Sequence, residues 1–231
     1  MKLLCSLLLI GSALVVAAHA DVTITQNADG AEGMSQMVIK IKGDKARMEI
    51  NPQITTIIDG KTGEMFTLMN DKKQVLHISA EKGKQIAEMA SKFAKTSNGK
   101  PKLVPTGKKE VISGYEAEEY KVEGGLFPAS YWITTKYPDY AAILKQLSKI
   151  RPATLDATKM GMPDYADLPG LPIRTTIKVA GQKEMTSTIV SIEQNPIPDD
   201  QFTVPKDFAV MQMPDFAKPQ EPSASPAATQ P

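Results

Sequence analysis

Short runs in which apolar and polar side chains alternate, separated by spacers of only about four or five turn-forming residues, fill the chain from residue 37 to residue 78 and restrict what it can fold into. Met37, Ile39 and Ile41 alternate with Val38, Lys40 and Lys42, the period of a strand with one face toward a core. Gly43-Asp44 turns the chain, and Ala46, Met48 and Ile50 alternate with Arg47 and Glu49, so the two runs form a hairpin. Strands over 54–58, 64–69 and 74–78 follow, divided by Asp59-Gly60-Lys61-Thr62-Gly63 and Asn70-Asp71-Lys72-Lys73. Parallel neighbours need crossovers of a dozen or more residues. The spacing therefore predicts an antiparallel meander.

The period then changes. Ile86, Met89, Ala90, Phe93 and Ala94 recur at three and four residues with Lys82, Lys84, Glu88, Lys92 and Lys95 on the other face, which predicts a helix ending near Asn98-Gly99. Strands are expected again over 109–112, 115–122 and 131–135. A second helix is signalled after Pro138 by Tyr140, Ile143, Leu144 and Leu147. Residues 151–170, rich in Pro, Gly and Asp, read as a long loop of the kind that often forms a binding lid. A last hairpin pairs the alternating run 173–179 with 185–193 across Ala180-Gly181-Gln182-Lys183. Residues 217–231, composed of Pro, Ala, Ser and Gln without apolar periodicity, read as a disordered tail.

At the other end, Lys2 precedes an apolar run that stops at Ala18-His19-Ala20, a secretory signal with cleavage expected after Ala20. The run is too short, and too interrupted by Gly11 and Ser12, for a membrane anchor. Cleavage leaves a single domain over 21–216 and removes Cys5, the chain's one cysteine. Disulfides, thiolate metal sites and cysteine nucleophiles are then unavailable, and a chain of about 210 residues must rely on its core. Without Lys2, 26 basic residues balance 26 acidic ones, which argues against a nucleic-acid binder. The protein is expected in the periplasm or the medium.

His77 is the sole histidine of the mature chain, on a strand, and no Gly-x-Ser-x-Gly elbow supplies a nucleophile. One histidine cannot hold structural zinc. Glu116, Glu118 and Glu119 lie close, but Glu116 and Glu118, which share one strand face, read as a solvent-facing acidic stripe, and Asp199-Asp200 as turn chemistry. The inventory predicts no enzyme, no cofactor and no resident metal. Met160-x-Met162, Met211-x-Met213 and His77 leave cuprous copper as a minor alternative.

The words Gly114-Tyr115-Glu116-Ala117-Glu118-Glu119-Tyr120-Lys121-Val122, Leu171-Pro172-Ile173-Arg174, Ser191-Ile192-Glu193 and Phe202-Thr203-Val204-Pro205 resemble an exported bacterial family of unknown function. That family is distantly similar to the periplasmic carriers of outer-membrane lipoproteins. The resemblance implies an α+β, mainly β fold: a curved antiparallel half-barrel of about ten strands wrapping two helices, with a cavity for an acyl chain or a lipidated protein. Under it, Met37, Ile39, Met48, Ile50, Met65 and Met69 on strands would face Ile86, Met89 and Phe93 on the first helix. Methionine suits adaptable apolar surfaces, and the same residues equally suit an ordinary core. The alternative to a carrier is an envelope protein-interaction module with a closed core.

Overall fold

A computed structural model describes residues 21–30, 33–94, 101–124, 127–150, 162–178, 181 and 183–211, with backbone alone at 87 and 90–94. The expected signal segment, the tail from 217, and the Asn98-Gly99 helix end lie outside these residues, as do residues 151–161 of the long loop.

The first meander comprises β2 (Gly33–Lys42), β3 (Lys45–Glu49), β4 (Ile54–Asp59), β5 (Met65–Met69) and β6 (Gln74–Ile78), preceded by β1 (Val22–Gly30). Helix α1 (Ala80–Ala94) leads to β7 (Lys102–Ile112), β8 (Tyr115–Glu123) and β9 (Ala129–Thr134). Helix α2 (Tyr140–Lys149) precedes β10 (Leu171–Ile177) and β11 (Met185–Glu193), and β12 (Ala209–Met211) ends the described chain. They form one sheet in the order β12-β6-β5-β4-β3-β2-β1-β11-β10-β9-β8-β7.

The strand count is therefore twelve rather than about ten. Two strands carry little alternation. In β1 the apolar period stops after Val22 and Ile24, and β12 has three exposed residues beside β6. The β6–β12 pair is parallel, an exception to the expected antiparallel pairing. Strand β7 begins earlier than expected because its register shift between Pro105 and Lys109 accommodates a proline, which is tolerated on a sheet edge.

The sheet is open but strongly curled. Ser113, in the β7–β8 turn, donates its hydroxyl to the Ile189 carbonyl of β11 at 2.9 Å, although β9 and β10 separate β8 from β11 in the sheet. The inner face carries the main core. Ile24, Ile41, Leu171 and Ile173 are almost completely buried there against Ile143, Leu144 and Leu147, one stripe of α2. The far end of α2 is seated on Gly60. Its N–H donates to the Asp44 carbonyl at 2.7 Å, and a methyl group there would overlap the Lys149 carbonyl oxygen.

The outer face of the first meander is covered by the chain after β11, a strap over residues 195–211. Ile57, Leu68 and Val75 form a small second core with Phe66, Val204 and Phe208. Polar contacts fix the strap's first half. The Asp21 carboxylate accepts from the Ile197 N–H at 2.8 Å, and the Lys42 ammonium donates to the Ile197 carbonyl at 2.6 Å and pairs with Asp199 at 2.7 Å. Lys40 and Arg47 reach Gln201 and share the Glu49 carboxylate. Burial alone would raise the Glu49 carboxyl, but hydrogen bonds from Arg47 and Lys40 together outweigh it and hold it below its ordinary value. Asp199 is lowered by its hydrogen bond from Lys42, and Lys42 is raised by the same bond.

Truncating Leu147 to Ala is expected to cost about 2–5 kcal/mol, and Gly60→Ala about 1–3 kcal/mol through forced displacement of α2, both read from urea midpoints. The strap should respond to acid. Carboxylates with lowered folded values stabilise above about pH 4 and lose that contribution as the pH falls through their folded values. Raised Lys42 contributes at neutral pH and loses its part only as the pH rises through its folded value. Amide protection at Thr203, Phe208 and Ala209 should therefore fall in acid before protection in α2 does, and Glu49→Gln with Asp199→Asn should flatten the dependence. Strap protection that follows α2 throughout would mean these ion pairs do not hold it.

Candidate functional site

The inner-face residues of β1, β2, β10 and β11 change size along the strands. Toward α2 they are Ile24, Ile39, Ile41, Ile173 and Ile189, which fill the core. Toward the opposite strand ends the same face carries Ala28, Gly30, Gly33, Ser35, Thr175 and Ser187. Small side chains leave the curl unfilled. A cavity of about 410 Å³ lies over them, walled by Met37, Ile50, Ile177 and Met185. That volume is within the range of small-molecule sites.

Its one charged group lies at the rim, while Ser35, Thr175 and Ser187 put hydroxyls on the floor. Asp29 pairs with Lys183 at 2.9 Å, joining the end of β1 to the β10–β11 turn, and both side chains are about half exposed. Thr186 shares a 3.2 Å hydroxyl contact with Thr176 on the neighbouring strand. Asp29 is the one ionisable residue among those lining the cavity. A chamber of only about 30 Å³ adjoins it across Ile177, closed by Phe127, Tyr131, Met162 and Pro163. Another cavity of about 410 Å³, over β8–β10, is lined by Glu119, Lys121, Lys178 and Glu184 and so has a charged character.

Of the nine residues expected to line a ligand site, Met37 and Ile50 stand in the cavity wall. Ile39 is buried in the core, where it pairs with Met48, and Met48 and Met65 pack half-buried against that core. Met69 is half-buried at the end of β5 opposite Ile54. Ile86 is half-buried on α1, Met89 is 43% exposed, and the side chain of Phe93 lies outside the described residues. Among the described residues, the helix packed on the inner face is α2, and α1 has no comparable contact with a strand. Among the described residues, no side chain of α1 lines the cavity.

Ala28, Ser35, Thr175, Ile177, Met185 and Ser187 were not anticipated. Their signal is the decline from Ile24 through Gln26 and Ala28 to Gly30 along one face, and it gains meaning only once β1 is known to lie between β2 and β11.

His77 stacks on Phe66 with ring centroids 4.5 Å apart and places Nε2 3.2 Å from a Glu64 carboxylate oxygen. Among the described residues no group of three His, Cys, Asp or Glu side chains is placed to hold a metal ion. Met160 and Met213 lie outside them, Met162 closes the small chamber, and Met211 sits on β12. No described helix is long and apolar enough to cross a membrane.

Solved structures with a similar arrangement are distant. A PNGF-II structure matches at TM-score 0.40 and 13% identity over 83% of this chain, which spans only 31% of that one. A chain of the Pseudomonas aeruginosa MucA/MucB complex matches at 0.42 and 10%, covering 85% of this chain and 59% of that one. A LolA superfamily protein from Nitrosomonas europaea matches at 0.31 and 10%, covering 80% and 89%. All three scores lie below 0.5, so the functional reading is drawn from the chain's own geometry. No curated protein matches the chain. A family model described as a domain of unknown function, DUF4412, does match, over residues 21–208, and the chain belongs to that family.

Proposed function

We propose that this is a non-catalytic binding protein acting outside the cytoplasm, whose inner-face cavity takes up a hydrophobic ligand, an acyl chain or a lipidated protein segment. The observation that carries this reading is the cavity of about 410 Å³ whose floor is small residues and whose walls are Met37, Ile50, Ile177 and Met185. An inner face meant only for core would place large side chains at Ala28, Ser35 and Ser187, since protein interiors pack without voids of this size. Two methionines in the wall give it an adaptable surface. The one ionisable residue of the lining, Asp29, is half exposed and paired with Lys183, so an apolar ligand can enter without stripping water from a buried charge. The signal-like segment before Asp21, and a family match that starts at residue 21, support export with cleavage after Ala20. The sequence words resemble an exported family of unknown function that is distantly similar to lipoprotein carriers, and that distant similarity supports an acyl-bearing ligand.

Native mass spectrometry of the mature protein from its own host's envelope, followed by organic extraction, should find an acyl-bearing species at near-stoichiometric occupancy. In the apo protein, an environment-sensitive naphthylamine probe should bind, and Met37→Glu should weaken that binding by tenfold or more, because the carboxylate would face an apolar ligand. Met89→Glu, on α1, should leave binding unchanged. Loss with Met89→Glu and retention with Met37→Glu, in folded variants, would move the site to the α1 face. A clean apo mass with no probe uptake would favour the closed-core interaction module.

A further inference from the structure

Methionines at the cavity and its mouth differ in exposure and in the face they occupy. Met37 is half-buried in the wall. Met185 also lines the wall but is 51% exposed, and its Cγ lies 3.5 Å from the point that a Cβ on Gly30 would occupy, over the cavity floor. Met34 is the most exposed, at 78%, and sits between the lining residues Gly33 and Ser35. Alternate residues of a strand face opposite ways. Met34 accordingly stands on the outer face, one strand position from the cavity and without access to its interior.

We propose that Met185 is a reversible oxidation site whose state controls how well the cavity accepts an apolar ligand, an inference that rests on the ligand-binding reading above. The oxidant is a peroxide. A lone pair on the thioether sulfur attacks one peroxide oxygen, the S–O bond forms as the O–O bond breaks, and sulfur gives up two electrons. The proton left on the transferred oxygen passes to the departing hydroxide, which leaves as water. Exposure governs which methionines react first. Met185 meets that condition, and the sulfoxide it forms turns a flexible apolar wall into a polar one. An apolar ligand offers that oxygen no hydrogen bond while keeping water from it, so binding must weaken. Oxidation of Met34 has no such effect, because its side chain is on the other face. Two exposed methionines on opposite faces of the sheet thus provide a sensing residue and a silent control.

The test uses the mature full-length chain, limited hydrogen peroxide, peptide mapping to locate sulfoxides, and titration with the naphthylamine probe. Met34 and Met185 should convert before Met37, and probe affinity should fall about tenfold. Met185→Leu, a volume-conserving change, should keep its affinity through the same treatment, whereas Met34→Leu should lose it as the parent does. Methionine sulfoxide reductase should restore the oxidised parent. Unchanged affinity after Met185 has converted, an equal loss in Met185→Leu, or failure of the reductase to restore binding overturns the proposal while leaving the ligand-binding reading intact. Failure of the untreated protein to bind the probe at all overturns both.

Discussion

The pairing of β1 with its two neighbours holds the sheet together. Without it, β2–β6 and β7–β11 would be two separate sheets, for among the described residues no other strand joins them. The contact is made between residues about 165 positions apart in the chain, such as Ile24 and Ile192, so its loop-closure cost is high and must be met by burial. Val22 and Ile24 provide that burial, with Ile24 fully enclosed. The register slips between Thr25 and Gln26, where the pairing passes from the core to the cavity. A bulge bends a sheet and increases its twist, and this one lies where the curl must open.

Both faces of the first meander are used, for different ends. Its inner face gives Ile39, Ile41 and Ile58 to the main core and Met37 to the cavity wall. Its outer face, with Ile57 and Leu68 between charged residues, is sealed by the strap. Antiparallel sheets commonly leave one face to water. Here the alternation of β4 is weaker than usual, with Thr55, Thr56, Ile57 and Ile58 all buried, because both of its faces are covered.

That double coverage explains what could be read from the sequence and what could not. Met37 to Glu49 disclosed a hairpin because its outer face is charged, Lys40, Lys42, Arg47 and Glu49, and its inner face apolar. Helix α2 was legible from Ile143, Leu144 and Leu147, which are its buried stripe. Strand β1 was not, since its inner face runs out through Gln26 to Ala28 and Gly30, and the absence of bulk that hid the strand is the same absence that makes the cavity. Strand β12 is too short for any period and is placed by Phe208 and the Lys73–Asp207 pair instead. The placing of α1 opposite the strand methionines came from the carrier resemblance, since an amphipathic pattern identifies a helix but not the surface it meets. Met37 and Ile50, which line the cavity, continue the hairpin's alternation, whereas Thr175 and Met185 belong to strands brought alongside only by the topology.

The two ends of the β2–β6 and β7–β11 array are tied by one stretch of chain, from Ile78 on β6 to Lys102 on β7. Fifteen helical residues span about 22 Å, and the remaining eight at full stretch add about 27 Å. Laid flat, the ten strand intervals between those ends would measure about 48 Å. The tether would then be drawn almost taut. Contour length thus permits a curled sheet and leaves almost no reach beyond a flat one: the sheet is strung like a bow, with the stretch from Ile78 to Lys102 as its string. That string sets no limit on tighter curling, but it does limit how far the arc can spread.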